Sequence, residues 1–104
     1  MNGCSNIRIT DSAVDDLMVG FSFYESQLEG LGAFFLESLS TDIDALSISA
    51  GVHFQHLGAY RCLASRFPYA IYYLLENSTA IVFAVLDTRR DPLWTRQQLS
   101  SRPL

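Results

Sequence analysis

Two unbroken apolar runs, Tyr69 to Leu75 and Ala80 to Leu86, are separated only by Glu76-Asn77-Ser78-Thr79. Runs of this length, rich in Tyr, Ile, Val and Phe, are the signature of strands with little open surface on either face. The polar link suits a tight hairpin, because Asn tolerates a left-handed backbone. The chain must therefore build around a central antiparallel pair and supply other elements to cover it. Pro68 belongs at a strand entrance, since it cannot donate to the ladder. Tyr60 to Ala64 reads as a third, partly polar strand carrying Arg61.

The elements before the hairpin are helical. Asn6 to Thr10 alternates as a short half-buried strand and runs into Thr10-Asp11-Ser12, a cluster of capping side chains, with Ser12 and Asp15 as an acidic variant of the capping box. Val14, Leu17, Met18, Phe21, Tyr24 and Leu28 recur at helical spacing and define an expected core face, leaving Asp15, Asp16 and Glu25 for the solvated side. Gly30 and Gly32 interrupt the pattern, and Phe35, Leu36, Leu39, Ile43 and Leu46 resume it as a second helix. Ser47 to Gly58 has no clear period and reads as a loop with room for one helical turn. Asp91 and Pro92 can cap and open a short terminal helix, and residues 100–104 read as a flexible tail. The expected fold class is α+β: an N-terminal strand and an antiparallel helix hairpin packed on a mainly antiparallel sheet, in a single domain spanning residues 1–104.

Charge is polarised along the chain. The net charge is -4, yet residues 1–60 carry one arginine against eight acids, whereas residues 61–104 carry six arginines against three. Lysine is absent, so fork-shaped and stacked contacts are available but no lysine can serve as general base or acid. Arg61, Arg66, Arg89 and Arg90, with Trp94 beside the last two, are the candidate binding residues. Bland roles compete: Arg61 and Arg66 as partners of Glu76 and Asp87, Arg89-Arg90-Asp91 as a strand-end cap, and Trp94 as a packing anchor. Cys4 and Cys62 are too few and too far apart for a metal cluster, and His53 and His56 lack a third ligand nearby, so no metal or cofactor is expected. No apolar stretch is long enough to span a bilayer and no basic-apolar leader opens the sequence, which sets the expectation of a cytoplasmic protein without membrane contact.

The stretches Tyr60-Arg61-Cys62-Leu63, Arg66-Phe67-Pro68-Tyr69-Ala70-Ile71-Tyr72-Tyr73 and Ala84-Val85-Leu86-Asp87-Thr88-Arg89-Arg90-Asp91-Pro92 with Trp94 resemble the RelE/ParE superfamily of bacterial toxins, most of all its ParE-like plasmid-stabilisation branch. Ala13 to Leu17, Phe23-Tyr24-Glu25, Gly30-Leu31-Gly32 and Phe35-Leu36 are compatible with its two helices, so the resemblance runs from Ile7 to about Leu99. It implies a type II toxin neutralised by a cognate antitoxin, with operator DNA met only through that antitoxin. ParE-like members poison DNA gyrase, and RelE-like members cut mRNA in the ribosome. A RelE-type cut requires a general base, a general acid and cationic stabilisation of the phosphorane. Without lysine, and with no histidine after His56, that set is thin, leaving Tyr69, Tyr72 and Tyr73 as proton carriers. The leading expectation is therefore a gyrase inhibitor with no catalytic residue of its own. The alternatives are a ribosome-dependent endoribonuclease and a non-toxic antitoxin-binding module.

Overall fold

In the computed structural model, which describes residues 2–104, the two apolar runs form the centre of the sheet. In chain order the elements are β1 (Asn6–Ile9), α1 (Asp11–Gln27), α2 (Leu31–Asp44), α3 (Leu46–Ser49), β2 (Gln55–His56), β3 (Ala59–Leu63), β4 (Tyr69–Glu76), β5 (Thr79–Asp87) and α4 (Pro92–Ser101). The five strands lie in the order β1-β5-β4-β3-β2, antiparallel except for the parallel pairing of β1 with β5. Asn77 and Ser78 both take positive φ, 48° and 65°, as a two-residue turn matching the strand twist requires.

The sheet has two unequal faces. Phe35, Leu39, Ile43 and Leu46 from the helical layer pack on Ile71, Tyr73, Val82 and Val85. The opposite face carries Ala70, Tyr72, Phe83, Ala84 and Leu86 with the partly buried Leu74, and Trp94 and Leu99 of α4 pack on it. The α2 stripe therefore lies where its spacing predicts, and the α1 stripe holds only in part, at Leu17 and Tyr24. Ala13, Leu17, Gly20 and Tyr24 form the buried face of α1, while Val14, Met18 and Leu28 are exposed. That face narrows to a glycine at position 20 because the Phe35 ring occupies the space there, where a Cβ would come within 2.4 Å of Cζ.

Other boundaries shift for local reasons. Thr10, not Ser12, caps α1, accepting a hydrogen bond from Ala13 N at 3.3 Å. Neither Asp16 nor Glu25 is a merely solvated acid. Glu25 accepts from Gly30 N at 3.0 Å and Gly32 N at 2.9 Å and so closes the α1–α2 turn, in which Gly30 takes φ 90°. The stretch expected as a loop contains the helical turn α3 and the two-residue strand β2. Asp91 accepts from Leu93 N at 2.8 Å with Pro92 at the first helical position, as its residues predict. At the C-terminus α4 continues through Ser101, and Arg102 is tied to Asp16, Phe83 and Gln98.

Candidate functional site

The β3–β4 and β4–β5 pairings bring part of the arginine set together. Arg61, on β3, and Tyr72, on β4, are cross-strand partners, and Arg61 Nε donates to the Tyr72 hydroxyl at 3.1 Å. With His56 and Arg90 they line a cleft of about 340 Å³ on the sheet face that α4 leaves partly open, with Thr88 and Thr95 on its walls. Arg90 stacks on Trp94, its guanidinium carbon 3.9 Å from the ring centroid, a cation–π contact that fixes the orientation of both. Trp94, with Val19 and Phe23 of α1 and Tyr69 of β4, lines an apolar groove of about 360 Å³ that shares Leu86, Asp87 and Arg90 with the cleft.

The other two arginines lie elsewhere. Arg89 forks onto Asp87, Nε to Oδ1 at 3.0 Å and Nη2 to Oδ2 at 2.8 Å, and its backbone N–H also reaches Oδ1. That contact holds the Asp87 carboxyl below its ordinary range and raises the guanidinium further. Arg89 is thus committed to the strand end, one of the two roles its sequence context allows. Arg66 extends over the Phe34 ring at 5.8 Å on the α2 side of the sheet. Neither Arg61 nor Arg66 pairs with Glu76 or Asp87: among the described residues the ion pairs are Arg89–Asp87 and Arg102–Asp16. Arg61, Arg66 and Arg90 therefore make no ion pair with a carboxylate among the described residues.

The tyrosines are first of all packing residues. Tyr69 and Tyr73 point into the helix-side core, and burial pushes the Tyr69 phenol up to about 12 and raises that of Tyr73. Both remain protonated at neutral pH. The Tyr73 hydroxyl accepts from Gly51 N at 2.8 Å and shares a second hydrogen bond with His53 Nδ1, 2.5 Å away, whose direction follows the imidazole tautomer. Among the described residues no group of three or more His, Cys, Asp or Glu side chains is placed to hold a metal ion.

Sequence reasoning placed His56 in a polar loop. The β2–β3 hairpin instead carries it to the cleft, and only the pairing of Gln55 with Tyr60 and His56 with Ala59 reveals this. The groove residues Val19 and Phe23 were equally hidden, because α1 is rotated relative to its apparent stripe.

The architecture, a helix hairpin on one face of a mainly antiparallel sheet with a short helix on the other, is the ParE-like toxin fold. A solved structure described as the chromosomal ParDE TA system from P. aeruginosa contains a chain that superposes with a TM-score of 0.71 at 13% sequence identity, over 81% of this chain and 96% of that one. No family model and no curated protein matches the sequence. No helix among the described residues is long and apolar enough to cross a membrane.

Proposed function

We propose that this chain is the toxin of a type II toxin–antitoxin pair and that it arrests growth by inhibiting DNA gyrase. The observation that carries the reading is the fold itself, shared over 96% of the matched chain of a ParDE toxin–antitoxin system. Fold alone does not choose a target, so the choice rests on the surface. A gyrase inhibitor needs a binding surface and no acid/base pair. The Arg90–Trp94 stack, between an apolar groove and a basic cleft, supplies an aromatic and arginine anchor of the kind that dominates protein interfaces. Its nearest phenols do not form a ready proton relay: Tyr72 is 2% exposed and bonded by Arg61, and Tyr69 is held protonated.

One observation favours the second reading, a ribosome-dependent endoribonuclease. His56, Arg61 and Arg90 line one cleft, which pairs a histidine able to move a proton with two guanidiniums able to face a phosphate.

The cognate antitoxin is expected to cover the helix hairpin and the open sheet edges. The apolar side chains left exposed there include Val14 and Met18 on α1 and Leu63 on β3. Asp11, Asp15, Glu29, Glu37 and Asp44 are exposed on the helical layer, so the segment docking there carries basic side chains among its apolar anchors, and a more acidic segment meets the arginine side. Induced expression with and without the antitoxin, followed by growth and by mapping of mRNA ends, tests the reading. Arrest relieved by the antitoxin with intact mRNA supports it. New mRNA ends at ribosome-bound codons move the nuclease to first place, and unaffected growth leaves an antitoxin-binding module.

A further inference from the structure

Helix α4 is loosely packed, since none of its residues is buried, yet it leads directly into a densely connected polar cluster. Arg102 meets Asp16 fork on fork: Nη1 to Oδ2, and Nη2 to Oδ1 at 2.8 Å. Nη1 also donates to Phe83 O at 3.1 Å and Nη2 to Gln98 Oε1 at 2.9 Å, while Asp16 Oδ2 accepts from Val85 N at 2.9 Å. The two side chains are only 10% and 15% exposed.

The reason for this cluster lies in β5. Its register with β4 slips between Tyr72, which faces Ala84, and Tyr73, which faces Val82, so Phe83 is the extra residue of a bulge. β1 pairs with β5 up to Val82, whose carbonyl takes Thr10 N at 2.9 Å, and the chain then leaves as α1. Beyond that point the edge of β5 has no neighbouring strand, and the bulge turns Phe83 C=O and Val85 N–H toward the gap. Buried backbone groups without partners are costly. Arg102 satisfies the carbonyl and Asp16 the amide, so the ion pair stands in for the missing stretch of strand.

We propose that the Asp16–Arg102 pair is a latch that holds α4 against the sheet, making Arg102 a positioning residue for the Arg90–Trp94 stack at the other end of that helix. Asp91 and Pro92 fix where α4 starts, and Arg102 fixes where it ends. Opening the latch frees both ends of the ion pair and both β5 edge groups together. That Arg90–Trp94 is the target surface rests on the reading given above, whereas the latch itself does not.

The experiment compares Arg102→Gln, Arg102→Lys and Asp16→Asn with the parent chain by amide hydrogen exchange and by acrylamide quenching of Trp94, the only tryptophan. Loss of hydrogen bonds to a charged group of this kind raises local opening roughly 10–100-fold, so residues 93–101 exchange faster by that factor in Arg102→Gln and Trp94 becomes more quenchable. The central strands β4 and β5 keep their protection. Arg102→Lys retains the charge but not the fork and falls between the two. Unchanged exchange in α4, or loss of protection spread evenly over the sheet, overturns the latch; faster α4 exchange with unchanged Trp94 quenching overturns the positioning role. Neither readout depends on gyrase, so a chain inert toward gyrase still tests the latch.

Discussion

Replacing Gly20 by Ala lowers stability, although helix propensity alone says the opposite. In an ordinary helix interior the change is worth about 0.5–1 kcal/mol of stabilisation. Here the new methyl would lie 2.4 Å from Phe35 Cζ and 2.6 Å from Cε2, about 1 Å inside ordinary carbon contact. The ring has no room to withdraw: Phe35 is 0% exposed, and Tyr24, Phe67 and Tyr69 surround it at centroid distances of 5.1, 5.1 and 5.0 Å. Overpacking of a tight core costs about 1–3 kcal/mol, and a contact this short sits at the upper end. Set against the propensity gain, the net loss is about 2 kcal/mol, or roughly 8–16 °C in melting temperature for a domain of this size. Urea unfolding of Gly20→Ala, Phe35→Leu and the double variant measures it, with unchanged slopes confirming that midpoints report stability. In the Phe35→Leu background the alanine costs nothing or stabilises, giving a coupling of about 2–3 kcal/mol. A Gly20→Ala variant more stable than the parent would refute the packing described for the helix hairpin.

Burial lowers the His53 pKa from the ordinary 6.5, so the folded state binds fewer protons there than the unfolded chain. Its contribution is fully present above that value and is lost as pH falls from 6.5 through the folded pKa; urea midpoints should drop between pH 7.5 and 5.5, and His53→Gln should flatten that drop, an undiminished slope counting against the assignment. Arg90 and Arg66 separate by location: Arg90→Ala, which removes the stack on Trp94, reduces gyrase inhibition by roughly tenfold or more as an interface anchor does. Arg66→Ala, on the α2 side, leaves inhibition within about twofold, and equal losses from both in folded protein would place the target surface elsewhere.

What was legible in the sequence follows from how local each signal is. The β4–β5 hairpin was plain because its apolar runs and turn residues are contiguous, and α2 because Phe35, Leu39 and Ile43 are large residues on one stripe. The orientation of α1 was not, because spacing rules weight large side chains, whereas its core face depends on Ala13 and Gly20 making room for residues of other elements. The latch was hidden for a different reason. Asp16 and Arg102 are 86 positions apart, and their partnership follows from a bulge whose register no single strand encodes. Arg61, Arg66, Arg89 and Arg90 read as one set of candidate binding residues, yet Arg89 turns to Asp87 and Arg66 to the helix side, leaving Arg61 and Arg90 on the cleft with His56.

The most direct test of the central claim is a gyrase reaction on plasmid DNA with the purified chain, followed both for supercoiling and for linear DNA released after detergent and protease treatment. A gyrase-inhibiting toxin blocks supercoiling, and a poison of the ParE kind accumulates linear DNA. Unaffected gyrase, from a preparation that arrests growth when expressed, contradicts the claim and directs attention to His56, Arg61 and Arg90 as the groups of a nuclease.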